Sequence, residues 1–79
     1  MTEKMKRVLE FFVKELVEDK NAVEIDLVES QDSIVMHIRL AEKDRGAVIG
    51  LNGRRIKALK EIVHMEGFKT GKKVRLEVI

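Results

Sequence analysis

The chain has 79 residues, no cysteine, and a net charge of +2 from 16 Lys/Arg against 14 Asp/Glu. A chain this short is one domain, residues 1–79, with a small core, because it buries only about 60% of the surface its unfolded form exposes. The lack of cysteine excludes disulfides, thiolate catalysis and cysteine-based zinc sites. The apolar runs are too short for a bilayer and no basic-then-apolar leader opens the chain, so a cytoplasmic protein is expected.

In chain order, residues 3–18 read as an amphipathic helix. Met5, Val8, Leu9, Phe12, Val13 and Leu16 keep the helical period, Thr2 is the expected N-cap, and Phe11 falls beside the stripe. Lys6/Glu10 and Glu10/Lys14 mix signs on a solvated back face. Residues 22–29 then alternate, with Val23, Ile25 and Leu27 to one side. Residues 34–40 do the same with Ile34, Met36, Ile38 and Leu40. Between them Ser30-Gln31-Asp32-Ser33 predicts a hairpin loop of about four residues.

From Leu40 to Lys72 the chain has to cross over. Helices over 42–49 and 54–66 fill that span, with Gly50–Gly53 as the elbow and Gly67 as the second helix's C-cap. Thr70-Gly71 turns into a last strand, 72–79, where Val74, Leu76 and Val78 alternate with Lys73, Arg75 and Glu77. A strand, helical crossover and strand imply parallel pairing with a right-handed connection. The predicted fold is therefore α+β in the order α-β-β-α-α-β: a three-stranded mixed sheet with three helices on one face.

The charge is unevenly placed. Residues 1–41 carry a balance of −3, residues 42–60 one of +4 and residues 61–79 one of +1. The basic stretch holds Lys43, Arg45, Arg54, Arg55, Lys57 and Lys60. A patch confined in this way suits contact with a polyanion. The competing reading is a solvated, highly charged surface of the heat-tolerant kind. Clustering around one glycine loop favours the polyanion.

That loop, Gly50-Leu51-Asn52-Gly53, turns sharply and admits a second backbone, since its glycines lack Cβ. The helix that follows aims its N–H groups and positive dipole end into the loop, yet opens with Arg54-Arg55 where acids are normally favoured. A Walker A loop needs Lys-Ser/Thr after its second glycine, which Arg54-Arg55 is not. A dinucleotide fingerprint needs G-x-G-x-x-G straight after a strand, whereas here Gly46, Gly50 and Gly53 follow a helical stretch. Helix-hairpin-helix modules are all-helical, and three strands argue against one.

The stretch Gly46-Ala-Val-Ile-Gly-Leu-Asn-Gly-Arg-Arg-Ile-Lys-Ala-Leu59 resembles the signature of the KH domain, an RNA-binding fold with a G-x-x-G loop between two helices. The element order resembles type II, and length and motif position resemble the KhpA family of small single-KH bacterial proteins. The likeness spans essentially the whole chain. It implies single-stranded RNA along Gly50, Leu51, Asn52 and Gly53, in a groove for about four nucleotides. By the same resemblance Ile49, Ile56 and Val48 would form an apolar floor for bases, and the edge of residues 72–79 would offer backbone groups to base edges. Arg54, Arg55 and Lys57 would supply charge, with Arg45 and Lys60 peripheral. The family's Lys or Arg at the first variable loop position is replaced by Leu51, which loses a phosphate contact. Leu51 therefore packs on a base or sugar, or marks a protein contact.

The chain has no Trp or Tyr. Phe12 is assigned to the first helix's core stripe and Phe68 to an apolar anchor after the last helix. Stacking on exposed rings is accordingly not expected. His37 and His64 sit on different elements without a metal-spaced partner, so no metal and no cofactor are predicted. With serines only at Ser30 and Ser33, in a turn, the chain is not read as an enzyme. The leading expectation is a non-catalytic RNA-binding protein acting as an RNA chaperone or post-transcriptional regulator. The alternative is an assembly module, a homodimer or a heterodimer with a larger KH protein of the KhpB or Jag type, with secondary RNA binding.

Overall fold

The computed structural model describes residues 2–79, the side chain of Thr2 excepted. The order is α1 (Thr2–Leu16), β1 (Glu24–Glu29), β2 (Ser33–Arg39), α2 (Arg45–Ile49), α3 (Arg54–Gly67) and β3 (Lys73–Val78). This is the predicted α-β-β-α-α-β arrangement. Helix α1 begins at Thr2, and the expected side-chain cap by that residue lies outside the described residues.

The sheet runs β1-β2-β3, with β1 antiparallel to β2 and β3 parallel to it. Ile25 pairs with Ile38, Leu27 with Met36, and Met36 with Leu76. The period-2 pattern thereby puts every inward side chain on one face. Ile34, Met36 and Ile38 of the central strand are completely buried. They meet Met5, Leu9 and Val13 of α1, Val48 of α2, and Leu59 and Val63 of α3. Burial of each such side chain contributes about 1.5–3 kcal/mol. The opposite face is wet and carries ion pairs, including Arg39–Asp26 at 2.7 Å and Arg75–Glu77 at 3.0 Å.

Several local expectations are corrected. Strand β2 starts at Ser33, leaving a three-residue loop closed by Ser30 N–H donating to the Ser33 carbonyl at 2.8 Å. The predicted 42–49 helix divides into a 3-10 turn, Glu42–Asp44, and the five-residue α2. The division falls at Asp44, whose carboxylate turns away from α2 to accept the backbone N–H groups of Glu18 and Asp19, both at 3.1 Å.

Gly67 is not a left-handed C-cap. It stays helical at φ −70°, and glycine is required because a Cβ there would overlap the Val74 side chain. The left-handed residue is Gly71, at φ +73°. The aromatic assignments change as well. Phe12 is 38% exposed and Phe68, expected as an anchor, is 87% exposed.

Candidate nucleic-acid interface

The elbow between α2 and α3 is built from backbone conformations that side chains resist. Gly50 has φ +77°, ψ +173°, a region open essentially to glycine alone. Asn52 (φ +56°, ψ +27°) and Gly53 (φ +73°, ψ +18°) follow in left-handed geometry, which asparagine tolerates better than most residues. Gly53 N–H donates to the Gly50 carbonyl at 3.1 Å and closes the turn. Leu51, between these residues, is thrown into solvent at 77% exposure. Helix α3 then starts with neither a side-chain cap nor an acid in its first turn. Its leading N–H groups lack an internal acceptor, and the dipole there favours negative charge.

The two flanks of α3 differ. Towards β3 lie Lys60 and His64, one helical turn apart, which with Val74, Arg75, Leu76 and Glu77 line a groove. Lys57 and Gly53 continue the same row toward the loop, at helical spacing. Towards α1 lie Arg55, Ala58 and Ile62, which line a second groove with Phe12, Glu15 and Leu16. Arg55 is committed locally, its Nη1 donating to the Ala47 carbonyl of α2 at 2.8 Å. Its stem passes over Gly50, where an added Cβ would stand 2.8 Å from Arg55 Cγ. Arg54 and Arg55, adjacent in sequence and read as one cluster, therefore serve different ends.

Strand β3 forms the far wall and is an edge. Lys73 N–H donates to the Asp32 carbonyl and Ile79 N–H to the Ile38 carbonyl, each at 3.0 Å. In a parallel ladder, alternate residues turn both backbone groups to the same neighbour. Odd-numbered residues of β3 therefore bond β2, and the N–H and C=O of Val74, Leu76 and Val78 point outward along the groove.

The other residues named from sequence fall into place around this frame. Arg45, Arg54, Lys57 and Lys60 are exposed, and among the described residues none of them has a carboxylate partner. Lys60 lines the groove between α3 and β3. Ile49 and Ile56 are half-buried beside the loop. Val48 is corrected: it is fully buried in the core, so its side chain supports α2 from beneath and offers no surface to a ligand.

Two residues were missed. His64 had a sequence signal, since Gly53, Lys57, Lys60 and His64 repeat at helical spacing. Asp44 had none, because its partners lie 25 and 26 residues away. It is the buried polar residue among those described. Glu18 N–H foremost, helped by Asp19 N–H and the Lys43 and Lys20 ammonium groups, holds its carboxyl below the usual carboxylate range, against burial.

Two adjoining helices joined by a G-x-x-G elbow, packed on a β-β-α-α-β sheet with an open edge strand, define a KH domain of type II order. The chain belongs to the KhpA/KhpB KH-domain family, whose profile matches residues 6–78. It is 36% identical over 75 residues to the RNA-binding protein KhpA of Aquifex aeolicus, covering 95% of each chain. It is 35% identical to the RNA-binding protein KhpA of Clostridium acetobutylicum over 95% of this chain and 100% of that one. With the RNA-binding protein KhpA of Borreliella burgdorferi the identity is 31%, over 91% and 88% of the two chains. No solved structure matches the chain.

Proposed function

We propose that this protein binds single-stranded RNA without catalysis, in the cytoplasm, as an RNA chaperone or post-transcriptional regulator. The carrying observation is the Gly50–Gly53 elbow, with its positive φ angles, at the uncapped start of α3 beside Arg54, Lys57 and Lys60, which have no carboxylate partner among the described residues. Phosphates rest on the loop and the first N–H groups of α3, and bases enter the groove between α3 and β3. There the outward N–H and C=O of Leu76 are placed to pair with base edges, while Ile49 and Ile56 supply apolar support. The names of the curated relatives favour RNA as the polyanion. Short RNAs titrated at several salt concentrations against a Leu51→Asp/Asn52→Asp variant test this reading. Two added carboxylates should abolish binding measured by fluorescence anisotropy; an unchanged isotherm refutes it.

A second reading concerns assembly, and a separate observation favours it. On the α1 flank Phe11 is 60% exposed and sits edge-to-face with Phe12, which lines a groove with Ala58 and Ile62. An apolar face with Arg55 and Glu15 both on it suits a second KH surface, from another copy or from a larger KhpB- or Jag-type protein. Such pairing raises avidity for RNA with no new contact to it. Sedimentation of wild type and Phe11→Ser/Phe12→Ser checks it: a strict monomer that binds RNA tightly removes the need for a partner.

A further inference from the structure

Beyond the groove, α3 ends in an exposed apolar surface that no role yet described uses. Phe68 follows the helix in a 3-10 turn, Phe68–Thr70, with 87% of its surface in solvent, and Met65 is 74% exposed. His64 joins this surface to the groove. It lines the groove with Lys60, Val74 and Arg75, and it also lines a pocket with Met65 and Phe68. Lys60 on α3 and Arg75 on β3 line the groove with His64, and Lys69 follows Phe68 in the chain, all exposed; Glu61, also exposed, stands one helical turn before His64. The carboxylate lining this groove, Glu77, is engaged by Arg75 at 3.0 Å. The fold has no core use for an aromatic ring here, and leaving a phenylalanine in water is costly.

Rings interleaved with cations are the physical signature of a stacking platform for unpaired bases, since every base presents a π face while the cations track the phosphates. From Gly53 to Phe68, 15 residues of mostly helical rise give about 22 Å. A strand held by its phosphates at the loop therefore has to run well past the four nucleotides of the groove to arrive there.

We propose that His64 and Phe68 form a second RNA subsite, a stacking platform at the end of α3 remote from the glycine loop, which takes bases beyond those held in the groove. This rests on the groove being the RNA site. The platform is continuous with that groove through His64, and Lys60 and Lys69, with no carboxylate partner among the described residues, give its edge a charge that suits a polyanion better than an apolar partner.

The test compares oligouridines of four and twelve nucleotides by fluorescence anisotropy with wild type, Phe68→Ala, His64→Ala/Phe68→Ala, and the loop variant Leu51→Asp/Asn52→Asp. Phe68 makes so little contact that its variant should keep the wild-type unfolding midpoint. The expected result is an unchanged affinity of Phe68→Ala for the tetramer and about a tenfold loss for the dodecamer, larger in the double variant. Equal affinities of wild type and both platform variants for both lengths overturn the proposal. So does an equal loss at both lengths, which would make Phe68 part of the groove itself. A change in sedimentation of Phe68→Ala with RNA binding intact assigns the surface to a protein partner and also overturns it. If the loop variant binds both RNAs like wild type while Phe68→Ala loses the dodecamer, the platform stands and the loop reading falls.

Discussion

The two flanks of α3 are built from one 14-residue helix yet present opposite chemistry. Towards β3, Lys60 and His64 stand over a strand edge whose outward N–H and C=O groups need partners, with Lys57 one helical turn nearer the loop. Towards α1, Arg55, Ala58 and Ile62 face Phe12 and Leu16, and the cation there is bonded to the Ala47 carbonyl. The difference teaches that a positive charge is not by itself a phosphate contact. Lys60 keeps three donors for a ligand, whereas Arg55 spends part of its fork holding α2 to α3. In the proposed reading one flank meets the RNA, and the other fixes the elbow beside it.

Gly50 is where the flanks part, so substitution there should have the largest effect. In Gly50→Ala the methyl group meets Arg55 Cγ at 2.8 Å and both Arg55 Cβ and backbone N at 3.0 Å, at a φ of +77° that alanine resists. The backbone strain alone costs about 1–3 kcal/mol, and displacing Arg55 releases α2. We expect a lower urea midpoint and loss of RNA binding together. Gly53→Ala is the control: its Cβ would find only Ile56 Cγ2 at an ordinary 3.8 Å, leaving the left-handed backbone cost of about 1–2 kcal/mol. Equal damage from the two variants would show that crowding by Arg55 does not matter.

The next prediction separates the flanks directly. Each phosphate contact on a single strand adds about 0.7 to the slope of log K against log salt. Lys57→Ala/Lys60→Ala should therefore lower that slope by about 1.4 and weaken binding most at low salt. Arg55→Ala should weaken binding while leaving the slope within error of wild type, because what it removes is a hydrogen bond to Ala47. A reduced slope in Arg55→Ala would return that arginine to the binding flank and dissolve the distinction.

The contrast between flanks also marks how far the sequence could be read. Alternation in Ile34–Ile38 and Val74–Val78 fixes strand faces because the side-chain period of a strand is 2 and one sheet face is dry. The glycine elbow was legible because few other residues accept its backbone. Flank assignment on α3 was not: Arg54 and Arg55 look equivalent until the helix phase and the position of α2 are known. Gly67 was misread for a related reason. A glycine at a helix end suggests a left-handed cap, but here the need is clearance from Val74 of another element, which no local pattern encodes. Phe68 failed similarly, since hydrophobicity predicts burial only where the fold brings something to cover it.

The smallest expected effect comes from Asp44, which serves both flanks by tying the start of α2 to the end of α1. Its two carboxylate oxygens accept the N–H groups of Glu18 and Asp19. The Lys20 ammonium closes the same corner through the Lys14 and Val17 carbonyls, at 2.9 and 3.1 Å. Because the folded carboxyl titrates below its unfolded value of about 3.9, Asp44 contributes stability that is fully present above that pH. The contribution is lost as pH falls through the lower, folded value. Asp44→Asn accepts only one of the two bonds and turns an NH2 group toward the other donor. It should lower Tm at neutral pH, with the gap from wild type narrowing below about pH 3.9. A gap constant down to pH 2 would show that the charge of this carboxylate has no part in the tie. The RNA salt slope should be the same in both proteins, since Asp44 lies on neither flank. A slope that moved with it would mean that the cationic flank is held in place from α1 and is not independent of the face opposite.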